Sequence, residues 1–145
     1  MESLRREYTS DVRQIGEMRD FVRDSCRRAW GDNAENEEGL GLLILALDEA
    51  AANIILHAYE KQAGQPIEMI VEIDAAEVGV SLHHRGRDFD PTTARPPDFD
   101  GSRECGFGLY LIQQSVDEVR YFHDEQGRCA IRLVKKRRQS PEKGA

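Results

Sequence analysis

The stretch from Leu42 to Tyr59 is almost wholly apolar, yet Glu49, Asn53 and His57 interrupt it at four-residue steps. On a helix, that spacing stacks the three polar side chains along one stripe. A helix this apolar is buried over most of its circumference. Burying a carboxylate and an amide without partners costs several kcal/mol, so the stripe reads as the wall of a wet, ligand-occupied pocket. A core helix with one solvent-facing edge satisfies the same pattern, and the rest of the chain has to decide.

At 145 residues the chain has the size of one domain with a core of its own. We expect a single domain over 1–138 and a polar tail over 139–145. The formal net charge of -7 disfavours a general nucleic-acid binder, which needs clustered Lys and Arg. The basic run Lys135-Lys136-Arg137-Arg138 has no aromatic or amphipathic company and reads as a solvated tail. The N-terminus lacks the apolar core of a signal peptide, and no segment reads as a membrane span, so a cytoplasmic protein is expected, with neither membrane nor direct nucleic-acid contact. Cys26, Cys105 and Cys129 are odd in number and without CxxC spacing, which indicates neither a disulfide framework nor a zinc site. Cys105 reads as an incidental small residue beside a glycine-rich turn.

Periodicity organises the remainder. Thr9 or Ser10 caps a helix to about Trp30, with Val12, Ile15, Met18, Phe21 and Val22 on its apolar face. Gly31–Asn36 breaks it, and the polar-striped helix follows, ending near Lys61. Ile67–Ile73 alternates as a strand, and Val78–His84 forms a second strand. The segment from Arg85 to about Cys105 has no apolar period, and a loop this long is usually functional or disordered. A third helix runs from about Gly108 to Glu118, and Val119–His123 and Cys129–Val134 close as a hairpin. A short opening strand at Leu4–Tyr8 is possible. This order predicts an α/β (α+β) two-layer sandwich, in which a mixed, mostly antiparallel sheet carries helices on a single face.

Gly106-Phe107-Gly108 opens the third helix. Backbone N–H groups at such a helix end, backed by the dipole, suit phosphate oxygens, and glycine allows close approach. A GxG before a helix is weak evidence alone; its force comes from the carboxylate–amide helix in the same chain.

Together these residues resemble a family. Glu49-Ala50-Ala51-Ala52-Asn53 followed by His57-Ala58-Tyr59 is similar to the N-box of the GHKL ATPases, and more narrowly to that of the bacterial anti-sigma-factor serine kinases. Gly106-Phe107-Gly108-Leu109-Tyr110-Leu111-Ile112 resembles their second glycine box, and Arg85-Gly86-Arg87-Asp88-Phe89-Asp90-Pro91 the end of their first. The resemblance implies a Bergerat-type, histidine-kinase-like ATPase fold, with the loop from about Pro91 to Cys105 as the ATP lid. It implies ATP and Mg²⁺ as cofactors, Glu49 as the base that polarises an attacking hydroxyl, and Asn53 as the Mg²⁺ ligand. His84, Gly86, Gly106, Phe107, Gly108 and Leu109 would line the nucleotide, His57 would be mainly structural, and Arg103 would more simply be a surface residue. The implied partners are an anti-sigma-antagonist (STAS-type) protein bearing the acceptor serine, a sigma factor, and a second copy in a homodimer.

One departure matters. The family's first glycine box begins D-x-G, its aspartate accepting from the adenine amino group; here that position is His84. Hydrogen bonds to charged groups contribute roughly 1.5–3 kcal/mol, so the loss is on the order of ten- to a hundredfold in affinity. His83 and His84, adjacent on a strand, point to opposite faces and do not make a metal pair. Two functions remain: an ATP-dependent serine kinase, favoured by Glu49 and Asn53, and a non-catalytic binding module of the same fold, favoured by His84. The catalytic module of a sensor histidine kinase also fits the fold, but no dimerisation helices or membrane segment are expected, and the motifs resemble those of the serine kinases more closely.

Overall fold

The structure, a computed structural model, describes residues 1–87 and 107–137, with only the backbone of Phe107, Gly108 and Leu109. Strand β1 (Glu2–Thr9) leads through a 3-10 turn at Val12–Gln14 into helix α1 (Ile15–Trp30). Helix α2 (Ala34–Asn53) runs on as a π-helical turn, Ile54–Ala58. Strands β2 (Pro66–Ile73) and β3 (Glu77–His84), helix α3 (Phe107–Ser115), and strands β4 (Glu118–His123) and β5 (Cys129–Lys136) follow.

The sheet order is β1-β2-β3-β5-β4, and every pairing is antiparallel rather than mixed. Two helices between β1 and β2 return the chain to the end it left, so β2 runs against β1. One helix between β3 and β4 makes those two strands run the same way, but β5 inserts between them and removes the parallel contact. Val78, Val80 and Leu82 of β3 and Ile67, Met69, Val71 and Ile73 of β2 are buried, packed in one cluster with Met18, Val22, Leu43 and Leu47 of the helices.

The N-terminal cap differs from expectation. Asp11, not Thr9 or Ser10, accepts from the Arg13 N–H at the 3-10 turn. Ser10 is already used: its Oγ donates to the Gln62 carbonyl and accepts from the Gln65 N–H at 2.8 Å, tying β1 to the approach to β2. Asn33 caps α2 by accepting from the Asn36 N–H at 3.0 Å. Helix α3 stops at Ser115, three residues before the expected end. Asp117 donates its N–H to Val134 and accepts the Lys136 N–H at 2.7 Å, which pulls the chain into the sheet. Contrary to expectation, Ala34–Ala58 is long and apolar enough by composition to cross a membrane, but half of that window is buried inside this fold. That is the position of a core helix against a sheet.

Candidate functional site

Helix α2 carries Glu49 and Asn53 half-buried on one stripe. Neither makes a hydrogen bond or ion pair with any described residue. The neighbouring Asp48 turns the other way, toward α1, where Arg19 Nε lies 3.4 Å from its Oδ1 and burial raises its pKa. The two adjacent carboxylates thus have separate fates, one packed between helices and one presented on the seam.

The helix changes pitch directly after Asn53. Tyr59 donates its N–H to the Ile54 carbonyl at 2.9 Å, a five-residue step that widens the turn. On this turn His57 is exposed, whereas Glu49 and Asn53 are half-buried. The turn also presents the Ala58 carbonyl to the chain leaving β3. Arg87 donates its N–H to that oxygen at 2.7 Å, and a Cβ on Gly86 would stand 2.6 Å from it. Glycine is required at 86 because backbone meets backbone there, and that contact fixes the exit of β3 against the end of α2.

His84 is buried on the helix side of the sheet, edge-on to Tyr59 at 5.8 Å. Its Nδ1 accepts the Gly86 N–H at 3.3 Å. Tyr59 braces the same corner: its hydroxyl donates to the Pro66 carbonyl at 2.6 Å and accepts the Arg85 N–H at 2.8 Å. Burial raises the pKa of this phenol. In sequence Tyr59 stands out only by its place in the motif; the fold reveals it as the brace. His83 points to the opposite face, as strand alternation requires. There its Nδ1–H donates to Asp124 at 2.8 Å and its Nε2 pairs with Ser81 Oγ at 2.9 Å.

Helix α3 starts at the sheet end where β3 finishes and ends beside the start of β3, with Lys135 Nζ donating to the Ser115 carbonyl at 3.1 Å. It therefore runs antiparallel to α2, which it packs against. The N–H donors and positive dipole of its start lie at the end of the sheet where β3 finishes. Gly106, Asp88, Arg103, Cys105 and the proposed lid lie outside the described residues. Cys26 is buried in the core, which pushes its thiol up to about 12. The described residues hold no cluster of metal-ligating side chains.

The fold thus joins a five-stranded antiparallel sheet to a polar-striped helix whose end is held against a glycine at the close of β3. The family model of the histidine kinase-like ATPase domain matches residues 8–135. The chain belongs to this family. Among known relatives, the serine-protein kinase RsbW of Bacillus cereus (strain B4264) is 33% identical over 93 residues, spanning 56% of this chain and 55% of that protein. RsbW of Bacillus anthracis is equally similar, 33% identical over 93 residues with the same coverage. The chain thus spans about half the length of these relatives. Among solved structures, that of the RsbU and RsbW domains of Rv1364c from Mycobacterium tuberculosis superposes with a TM-score of 0.65 at 15% identity, covering 97% of this chain and 34% of that one. At that identity the likeness establishes the fold alone. It agrees with the expected histidine-kinase-like ATPase architecture, and homology to the RsbW serine kinases agrees with the expected kinase branch.

Proposed function

We propose that this protein is an anti-sigma-factor-type serine/threonine-protein kinase that binds Mg-ATP and phosphorylates a serine of an anti-sigma-antagonist protein. The observation that carries it is the Glu49–Asn53 seam: two half-buried polar side chains without a described partner, in an otherwise apolar helix whose end meets Gly86. These residues fit a nucleotide with its metal. The Asn53 amide oxygen is a hard donor for Mg²⁺, and the backbone from Gly106 to Leu109 suits the phosphates. Bound there, Mg²⁺ supplies neutralisation of phosphate charge. Glu49 accepts the proton of the acceptor serine as its oxygen attacks, and the seam holds that hydroxyl in line. His84, Gly86, Phe107 and Leu109 shape the nucleotide pocket. The setting is a cytoplasmic regulator acting through an antagonist protein and a sigma factor, as a homodimer.

A second reading, a binding module with weakened nucleotide affinity, draws on one observation. The His84 acceptor nitrogen is spent on the Gly86 N–H, so it does not replace the carboxylate that would accept from an adenine amino group.

Melting temperature in rising Mg-ATP separates the two readings, since a ligand that binds only the folded state stabilises it. Expected outcomes are clear stabilisation by ATP, its loss in Asn53→Ala, and a gain of roughly tenfold or more in affinity in His84→Asp. Glu49→Gln should retain ATP binding while phosphate transfer to a serine-bearing antagonist falls on the order of a hundredfold or more. Tight ATP binding with no phosphate transferred would overturn the kinase assignment.

A further inference from the structure

Three consecutive residues at the end of the polar-striped helix grip the chain as it leaves β3. The Ala58 carbonyl accepts the Arg87 N–H at 2.7 Å, the Tyr59 hydroxyl accepts the Arg85 N–H at 2.8 Å, and the Glu60 carboxylate accepts from the Arg87 guanidinium at 3.0 Å. Gly86 sits between these contacts, pressed on the Ala58 backbone. The three are unequal. Glu60 and Arg87 have side chains 58% and 75% exposed, so their ion pair contributes little. Tyr59 is 6% exposed, and its hydroxyl also donates to the Pro66 carbonyl at 2.6 Å. One buried oxygen thereby ties the end of the helix to the start of β2 and the exit of β3.

The backbone is strained where it turns away from this oxygen. Glu60 and Lys61 lie in the left-handed region, with φ of 51° and 66°, although neither is glycine. Residues with ordinary side chains stay there only where the surrounding structure holds them. Here the Lys61 N–H bonds the Ile55 carbonyl at 2.9 Å and closes the π-helical turn. That turn begins directly after Asn53, so the seam, the turn and the clasp follow one another along the chain.

We propose that Tyr59 is a positioning residue of the nucleotide site. Its hydroxyl fixes the exit of β3 against the end of the helix, so that Asn53 and the backbone at Gly86 keep one separation and move as one body. A nucleotide held between them binds at full strength only while that hydroxyl is in place. The role rests on the nucleotide-binding reading given above; the clasp itself does not.

Tyr59→Phe removes the hydroxyl and keeps the ring against His84, so the variant should fold. Hydrogen exchange of the full chain without nucleotide reads the clasp. Arg85 loses its acceptor and should exchange faster in any case. Arg87, whose own acceptor is untouched, should also exchange about tenfold faster, because the whole exit loosens. In Mg-ATP titrations followed by melting temperature, Tyr59→Phe should bind about tenfold more weakly. The KM for ATP should rise by the same factor with kcat near its native value, which marks lost binding and not lost chemistry. Val78→Ala, a truncation of a fully buried residue at the other end of β3, controls for lost stability alone and should keep the native affinity and KM. The proposal fails if Arg87 keeps its native protection in Tyr59→Phe, or if Val78→Ala loses as much affinity. A native chain that Mg-ATP does not stabilise sinks the nucleotide-binding reading and this role together; normal native binding with no loss in Tyr59→Phe sinks this role alone.

Discussion

The two faces of the sheet reach burial by opposite means. On the helix face, Val80, Leu82, Met69 and Leu133 are fully buried against α1, α2 and α3, and the contacts are apolar and non-directional. On the other face no described helix covers the strands, yet Ser81, His83, Ala130 and Val134 are also buried. A lattice of charged side chains does the covering. Arg128 bonds Glu68 at 3.0 Å and Asp124 at 2.8 Å, Asp124 accepts from His83, and Arg132 reaches Glu72. Arginine suits this role because its stem lies flat on the strands while its guanidinium binds carboxylates. One face tolerates exchange among hydrophobes of like volume; the other depends on each partner being present.

The comparison predicts a ranking. Leu47 is fully buried where α2 meets the core, so Leu47→Ala should give the largest loss, about 4 kcal/mol, read from urea unfolding. Asp124→Ala should follow at about 3 kcal/mol, because His83 and Arg128, with side chains 6% and 13% exposed, lose their shared acceptor. If Asp124→Ala proves the costlier, the polar lattice and not the helix-facing core dominates stability.

Acid titration tests the same face by sign. Burial opposes ionisation of Asp124, but hydrogen bonds from His83 and from the Arg128 backbone and guanidinium outweigh it and hold the carboxyl below the usual range. A folded pKa below the unfolded one means the contribution is complete above roughly pH 4 and fades as pH falls toward the folded value. Native protein should therefore lose stability more steeply below that pH than Asp124→Asn does. Parallel curves would remove Asp124 from the acid response.

How legible each face was follows from the same contrast. The β2 alternation Ile67, Met69, Val71, Ile73 and the apolar stripe of α1 announced the helix face, because hydrophobic burial leaves a period in the sequence. The charged lattice left no such trace: Glu68, Glu72, Arg128 and Arg132 look like ordinary surface residues until register sets them together. Strand β1, read as a short possibility, spans eight residues, since an edge strand with Arg5, Arg6 and Glu7 lacks the apolar run of a central one. At the site, Glu49 and Asn53 were legible as polar intrusions in a greasy helix. The π-helical turn at Ile54–Ala58 was not, because a one-residue widening leaves no apolar period and answers to the contact of Ala58 with Gly86. The assignments to Gly106 and the lid fall outside the described residues.

The smallest predicted effect separates a glycine of one face from that of the site. Gly79 lies under Arg132, and a Cβ there would stand closer to the guanidinium than one on Gly86 would to the Ala58 carbonyl. Distance alone would rank Gly79→Ala as the worse substitution. The obstacle at 79, however, is the far end of a flexible side chain, whereas at 86 it is backbone fixed by the Arg87 hydrogen bond. Arg132 can swing aside at the expense of its pair with Glu72, whose side chains are 27% and 31% exposed and whose contribution is about 0–1 kcal/mol. Replacing glycine within a strand returns about 0.4–1 kcal/mol by restricting the unfolded chain. Gly79→Ala should therefore shift stability by less than about 1 kcal/mol in either direction. A loss comparable to that of Asp124→Ala would mean that Arg132 is held in place by the lattice as a unit, and that the charged face is as closely specified as the apolar one.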